Sequence, residues 1–191
     1  MPGLMLHLIA GEKFCPSPGE IFLAGCVAPD AVDRWRRKNV YHFRDLDERE
    51  RFAALENLAR KTELDDPFAL GSLLHLYLDF RWDIKMRDPY IAKSGEDWHP
   101  PYKREIDKSS RYAYHKHPTA PALWALVDSC PIDSYGEIPG ASSAELRALI
   151  ERNKSWHEES FAEPSSEFPP EMVEEFLKEA ARDFREFVNN L

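Results

Sequence analysis

PFALGSLLHLYLDFRW, residues 67–82, is the stretch that decides the fold class of this chain. Pro67 suits the first turn of a helix, where its missing N–H costs nothing, and Asp65 or Asp66 can cap that turn. Apolar side chains then cover most of the helical circumference, which is typical of a helix buried on nearly all sides. We therefore predict a central, buried helix that ends near Trp82.

Helical patterns flank this stretch on both sides. Residues 48–61 place apolar side chains at helical intervals after Asp45 or Asp47, either of which can act as the N-cap. The segment from Ser142 to Glu145 has the spacing of a capping box, in which two side chains satisfy backbone N–H groups reciprocally. Both patterns predict amphipathic helices that pack on the central one.

The remaining patterns set the domain organisation. Pro169 and Pro170 open an amphipathic stretch, about residues 170–189, which we expect to pack on the rest of the domain. Residues 88–107 hold three prolines and several aromatic side chains, and we expect them to form a long loop. No stretch alternates apolar and polar residues with the period of two that is typical of a strand. The sequence therefore predicts a single all-α domain over residues 1–191.

Composition and charge argue against several classes of protein. The chain has 25 Lys and Arg against 34 Asp and Glu, so we expect no stable nucleic-acid binding, which needs a basic face. No apolar run approaches the roughly 20 residues that span a bilayer, so we expect no membrane insertion. Three cysteines without a Cys-x-x-Cys spacing, and no basic leader before the apolar start, predict a cytoplasmic protein.

His75 and Asp79 are the first candidates for a functional site. They lie four residues apart in the apolar stretch and so share one face of the predicted helix. An unpaired buried carboxylate is costly, so Asp79 needs a partner, and imidazole with carboxylate is a common zinc half-site. A His–Asp hydrogen bond inside the core is an alternative, and so is an Asp79 side chain that points to solvent near the helix end.

Three more residues of the same chemistry stand in apolar surroundings. His7 lies within LMLHLIA, Asp30 ends an apolar run at Ala-Pro-Asp, and His42 lies between aromatic residues. Taken singly, they read as a core histidine, a helix N-cap and a loop histidine. Taken with His75 and Asp79, they predict one metal site, built mainly from residues 1–85.

In this order the residues resemble the zinc-dependent phospholipase C family and the related single-strand-specific zinc nucleases. The resemblance covers roughly the first half of the chain. It rests on an early His, a Gly-x-x-Ala-Pro-Asp element, a His-Phe pair and a His-x-x-x-Asp on a buried helix, here His7, Gly25, Ala28, Pro29, Asp30, His42, Phe43, His75 and Asp79. The resemblance implies an all-α phosphoesterase fold with zinc ions between helices.

The same resemblance implies a distribution of ligands and some departures from it. Asp30, His42, His75 and Asp79 would hold one zinc, and Asp79 would bridge to a second that His7 also binds. Relatives carry a further His where this chain has Lys85, and the later histidines do not supply the His-x-x-x-Glu that follows in the family. We therefore expect one or two zinc ions, and Mn²⁺ or Fe²⁺ would tolerate the same ligands.

The later histidines stay without an assigned role. His115 and His117 could supply replacement ligands, although exposed loop positions explain them equally well. His99 lies in the expected loop, which is a common place for residues that cover an active site.

The activity implied by the resemblance is hydrolysis of a phosphate ester or phosphodiester by a metal-activated water. Asp30 would act as ligand, as general base, or as both in turn. Lys85, Arg44 and Arg81 are candidate phosphate contacts, with Lys85 partly replacing a missing metal, and surface salt bridges also explain the two arginines. We expect a small, soluble phosphate ester as substrate.

Two other classes stay open on the sequence. A metal-binding scaffold without catalysis would explain the incomplete family pattern. An all-α interaction module would present the apolar stripe near the C-terminus to a protein partner, with Phe176, Phe184, Phe187 and Val188.

Overall fold

The structure, a computed structural model, describes residues 2–32, 35–159 and 163–191. This part of the chain is built from α-helices with short connections and contains no β-strand, so the prediction of an all-α domain is confirmed. The helices are α1 (Leu4–Phe14), α2 (Glu20–Val27), α3 (Trp35–Tyr41), α4 (Glu48–Ala59), α5 (Pro67–Trp82), α6 (Asp88–Ser94), α7 (His99–Lys116), α8 (Ala120–Ser129), α9 (Ser143–Glu158) and α10 (Pro170–Asn189).

Three shorter helical segments complete the set within the same ranges. The segments Ala28–Ala31 and Ile132–Ser134 are 3₁₀ turns, and Asp83–Arg87 is a π-helical turn that continues α5. π-Turns inside helices often lie at functional sites because they redirect side chains.

The structure contains N-caps at the three helix starts where the sequence predicts them. Asp47, and not Asp45, caps α4 and forms a reciprocal capping box with Glu50. Asp66 accepts hydrogen bonds from the first turn of α5, and Ser142 forms a capping box at the start of α9. These contacts satisfy backbone N–H groups that a helix start otherwise leaves without partners.

The expectation of a long loop over residues 88–107 is wrong. Helix α6 and the first half of α7 occupy most of this segment, and Gly95, in a left-handed conformation with φ 73°, ends α6. Pro89 and Pro100 lie in the first turns of these two helices, where the absent N–H would have no helical partner. The prolines therefore mark helix starts and not a loop.

Helix α5 is buried at the centre of the domain, as its pattern predicts, and it packs most closely on α2. Two glycines make this approach possible. A Cβ atom on Gly25 would lie 2.2 Å from the carbonyl oxygen of Phe68, and one on Gly71 would lie 2.2 Å from that of Phe22. The two backbones are therefore in direct contact, which fixes the register between α2 and α5.

The C-terminal helix α10 completes the core. Phe176 and Phe184 are buried, and α10 packs mainly on α1, with further contacts to α5. Most of the apolar stripe of this helix is thus covered by the domain itself, and Phe187 and Val188 at its end are partly buried. No helix in the described ranges has both the length and the apolar character needed to cross a membrane.

Candidate metal centre

All five predicted metal ligands meet at one place in the core. His7 comes from α1, Asp30 from the turn after α2, His42 from the end of α3, and His75 and Asp79 from α5. The His42 Nε2 and His75 Nε2 atoms are 3.3 Å apart. His7 Nε2 lies 3.4 Å from Asp79 Oδ1, and His42 Nε2 lies 3.6 Å from Asp30 Oδ1. We refer to these five residues as the His–Asp cluster.

Each histidine of the cluster is oriented by its other ring nitrogen. The Nδ1 atoms of His7, His42 and His75 lie 3.2, 2.8 and 2.8 Å from the backbone carbonyl oxygens of Gly3, Lys38 and Cys26. A carbonyl only accepts hydrogen bonds, so each Nδ1 carries the proton and each Nε2 presents a lone pair to the cluster. This arrangement is the one that metal-ligating histidines almost always show.

The lone pairs face one another without protons between them. His42 Nε2 and His75 Nε2 both accept, and so do His7 Nε2 and Asp79 Oδ1, which are buried and make no hydrogen bond. Burial lowers the pKa of His75 to about 3, so His75 is neutral at pH 7. Buried electron pairs in such contact are stabilised by a cation that they can share.

Asp79 faces the histidines of the cluster through both of its carboxylate oxygens. Its Oδ1 atom faces His7, whereas its Oδ2 atom lies 3.5 Å from His42 Nε2 and 3.8 Å from His75 Nε2. Its side chain is 0% exposed, which excludes the alternative that it points to solvent. A second alternative, one His–Asp hydrogen bond inside the core, does not account for the three converging histidines.

Two cationic side chains keep the carboxylates ionised. Burial alone would raise the pKa of Asp30, but the Lys38 ammonium, 2.7 Å away, holds it well below its usual range. Burial likewise opposes ionisation of Asp79, and the Arg44 guanidinium, 2.9 Å from Oδ2, keeps the pKa of Asp79 well below its usual range. Both carboxylates are therefore anionic at neutral pH.

A strained turn presents His42 and Arg44 to the cluster. Phe43 between them has φ 55°, a left-handed conformation that is costly for a bulky residue. The Arg44 N–H bonds to the carbonyl of Asn39 and the Phe43 N–H to that of Val40, which is a Schellman cap with Phe in the position usually taken by Gly. Such strain is characteristic of functional sites.

The structure does not bring Lys85 and Arg81 to the cluster. Lys85 is exposed and forms an ion pair with Glu179 of α10, and Arg81 lies 2.7 Å from Asp183 of the same helix. Both side chains point from α5 and its π-turn towards α10. Of the three candidate phosphate contacts, Arg44 therefore stands beside the cluster, and the other two act as surface salt bridges.

Four residues that sequence reasoning missed surround the cluster: Lys38, Arg51, Asp83 and Arg87. Asp83 Oδ2 lies 2.7 Å from Arg51 Nη1, 3.0 Å from Arg87 Nη1 and 3.2 Å from Arg44 Nε. A sequence signal existed for part of this set, because residues 75, 79, 83 and 87 are spaced by four and carry His, Asp, Asp and Arg.

A cleft of about 510 Å³ lies beside the cluster, with Asp30 in its wall. Asp30, Lys38 and Arg44 form part of its wall, together with Arg87. The aromatic part of the wall consists of Trp98, His99, Tyr102 and Trp156. Among the cluster residues, Asp30 is the one that lines the cleft, so it is the donor that a small molecule entering from solvent meets first.

The later histidines lie apart from the cluster. His99 is exposed in the wall of the cleft, His115 Nε2 bonds to the carbonyl of His157 at 3.0 Å, and His117 Nδ1 contacts the Thr119 hydroxyl at 3.0 Å. The structure therefore does not place His115 or His117 as replacement ligands.

His157 is buried away from the cluster, and its burial predicts how the stability of the fold depends on pH. Burial lowers its pKa to about 4, although its Nδ1 bonds to the Asn153 carbonyl and its Nε2 to the Ser110 hydroxyl. Below about pH 6.5, His157 is protonated in the unfolded chain but stays neutral in the folded protein. The contribution of His157 to the free energy of unfolding is therefore fully present above pH 6.5 and falls towards pH 4. The loss is about 2–3 kcal/mol in the free energy of unfolding.

Urea unfolding of metal-free protein at pH 7 and pH 4.5 measures this loss. We expect the difference between the two pH values to shrink by about that amount in His157→Gln, in which no imidazole can be protonated. An unchanged difference would contradict the assignment of His157 as a neutral, buried side chain.

Comparison of the chain with protein-family models, with curated proteins and with solved structures gives no match. The class of the protein therefore rests on its own geometry. That geometry is an all-α domain with three histidines and two aspartates that converge in the core, beside a cleft that has cationic and aromatic walls and includes Asp30.

Proposed function

We propose that this protein is a metal-dependent hydrolase that acts on a phosphate ester or phosphodiester, in a fold of the zinc-dependent phospholipase C type. The observation that carries the proposal is the convergence of three Nε2 lone pairs, each fixed by a backbone carbonyl, on the carboxylates of Asp30 and Asp79. The cationic cleft beside them supports an anionic substrate.

The donor set fits one or two zinc ions. Asp30, His42, His75 and Asp79 Oδ2 would hold the first, and His7 with Asp79 Oδ1 would contribute to the second. Imidazole nitrogens with carboxylate oxygens are ligands that zinc prefers, and Mn²⁺ or Fe²⁺ accepts them too. When bound, the metal would lower the pKa of a water molecule to about 7, and the metal itself would neutralise charge on a phosphoryl group.

The remaining steps belong to side chains of this chain. Asp30 lines the cleft at the cluster, where it can ligate and can accept a proton from the attacking water. Lys38 holds Asp30 in its ionised form, and Arg44 does the same for Asp79. The donors are thus set in place before a substrate arrives, which favours catalysis because little reorganisation is needed.

The cleft favours an enzyme over the catalytically inactive metal scaffold. A scaffold needs no path from solvent to its metal, whereas Asp30 of this cluster forms part of the wall of an open cleft. The interaction module is less well supported, because α10 uses its apolar stripe within the domain.

The proposal is tested by turnover of bis(p-nitrophenyl) phosphate, a diester, and p-nitrophenyl phosphate, a monoester. Zinc-loaded protein will hydrolyse at least one of them, and chelation will abolish turnover. Asp30→Asn will lower kcat by about 100-fold or more, the range expected for loss of a positioned acid–base group.

Asp107→Asn provides the matched control. Asp107 also lines the cleft, but it pairs with Lys103 at 2.6 Å and has no contact with the cluster. We expect its variant to keep turnover within a few-fold of the wild type. Protein that binds zinc, manganese or iron stoichiometrically but hydrolyses neither ester would favour the scaffold.

A further inference from the structure

Lys38 and Asp30 stand side by side at the cleft. Both line its wall, and the Nζ atom of Lys38 lies 2.7 Å from the Oδ1 atom of Asp30. The same oxygen lies 3.6 Å from His42 Nε2 and 3.7 Å from His75 Nε2. One carboxylate oxygen is therefore in contact with an ammonium group and also lies among the donors of the proposed metal centre.

The ionic groups around the cluster balance one another within the described ranges. Four cationic side chains are in ion-pair contact with four carboxylates there: Lys38, Arg44, Arg51 and Arg87 with Asp30, Asp79, Asp83 and Asp88. A divalent ion would add two positive charges to this set. Its binding would therefore change the partners of the cations that the carboxylates hold in the metal-free protein.

A metal ion and the Lys38 ammonium compete for Asp30. Zinc binds a carboxylate oxygen at roughly 2 Å, so an ion on Oδ1 would lie within about 5 Å of Nζ. Like charges at such a distance repel strongly where water is scarce, and the Asp30 side chain is 6% exposed. The ammonium can move away, because the Lys38 side chain is 25% exposed and its charge is carried on a flexible stem.

We propose that Lys38 exchanges its partner when the metal binds, from the Asp30 carboxylate to the phosphoryl group of the substrate in the cleft. The inference rests on the proposed function, because a phosphoryl group is the anion on which the metal centre would act. An ammonium has three N–H donors, and in the described part of the chain Asp30 is the one carboxylate that Lys38 contacts. Lys38 would thus fill the role of phosphate contact that the sequence suggested for Lys85.

Zinc affinity, measured at pH 7 by competition with a chromophoric chelator, tests the first half of the exchange. Lys38→Met will bind zinc roughly 10- to 100-fold more tightly than the wild type, the scale on which a charge a few ångströms away shifts such an equilibrium. If Lys38 only held Asp30 in place, the variant would bind zinc more weakly. The backbone carbonyl of Lys38, which orients His42, is kept in the variant.

Three further variants control for charge, for position and for folding. Lys38→Arg keeps the positive charge, so its zinc affinity will stay within a few-fold of the wild type. Lys103→Met is the matched control, because Lys103 lines the same cleft but pairs with Asp107, 2.6 Å away, and it will bind zinc as the wild type does. Lys38→Gln also removes the charge, and it decides the question if Lys38→Met does not fold.

Calorimetry with inorganic phosphate tests the second half of the exchange. Zinc-loaded wild type will bind phosphate, and metal-free wild type will bind it at least about 10-fold more weakly, because Lys38 is then paired with Asp30. In zinc-loaded Lys38→Met the phosphate affinity will fall by roughly 10-fold, as expected for loss of a hydrogen bond from a charged group. This variant holds zinc more tightly, so loss of metal cannot explain the decrease.

The outcomes separate this inference from the proposed function. Zinc affinity that is unchanged or weaker in Lys38→Met, or phosphate affinity that is unchanged in its zinc-loaded form, would overturn the exchange, and turnover by the wild type would leave the hydrolase intact. Both predicted changes, with no turnover of either nitrophenyl ester by the wild type, would support the exchange and overturn the hydrolase.

Discussion

Protein purified without chelator will contain one to two zinc ions per chain, and His75→Gln or Asp79→Asn will weaken zinc binding by more than about 100-fold. Loss of a residue that only orients a ligand costs roughly 10- to 100-fold in metal affinity, so loss of a ligand itself exceeds that range. His75 belongs to both groups of donors that lie within 4.8 Å of one another, so its loss affects both positions.

Thermal unfolding gives a second readout of the same prediction. A ligand at about 100 times its dissociation constant stabilises the folded state by about 2.7 kcal/mol. For a chain of this length that corresponds to a rise in Tm of roughly 5–10 °C on addition of zinc. We expect this rise in the wild type and its absence in both ligand variants.

His157→Gln is the matched control for these measurements. His157 is as buried as His75, and both of its ring nitrogens are hydrogen-bonded, but its partners belong to α7 and α9 and not to the cluster. This variant will lose some stability and keep full zinc content. A folded wild type that takes up no zinc, manganese or iron would reduce the cluster to a set of core polar contacts and remove the basis of the hydrolase.

The five residues of the His–Asp cluster could be predicted because each stands out from its immediate neighbours in the sequence. A histidine or an aspartate inside an apolar run needs a reason to be there, and the spacing of His75 and Asp79 puts both on one face of a helix. The capped starts of α4, α5 and α9 were equally local. Such traces depend on neighbours within one helical turn.

The arginine set could not be predicted in the same way. Arg44, Arg51 and Arg87 come from three separate elements, and they meet only because Asp83 lies where those elements pack. The spacing along the helix could have excluded Lys85 as a phosphate contact. Six residues after Asp79 is about 240° around a helix, which turns Lys85 away from the cluster and towards α10.

Gly71→Ala will destabilise the fold and weaken zinc binding together. The new Cβ would lie 2.2 Å from the backbone oxygen of Phe22, where no flexible side chain can give way, so α2 and α5 must move apart. Overpacking of this kind costs about 3 kcal/mol, at the upper end of the usual range. For a chain of this length the Tm will fall by roughly 6–12 °C.

The same displacement of α2 would also disturb the His–Asp cluster, because one hydrogen bond links α2 to His75. The Cys26 carbonyl of α2 holds the Nδ1 of His75 at 2.8 Å, and so fixes the direction of its Nε2 lone pair. If α2 moves away, His75 loses this orientation, and zinc affinity will fall by roughly 10- to 100-fold, as for other outer-shell losses. The glycines of the helix contact thus support the His–Asp cluster, although they contribute no side chain to it.

Gly19→Ala separates this effect from a general cost of replacing glycine. Gly19 is exposed at the N-cap of α2, has φ −78°, and a Cβ there would meet no atom within 4 Å. We expect its variant to lose about 1 kcal/mol, the usual cost of Ala at an N-cap, and to bind zinc normally. Wild-type zinc affinity in a destabilised Gly71→Ala protein would show that the orientation of His75 does not depend on the contact between α2 and α5.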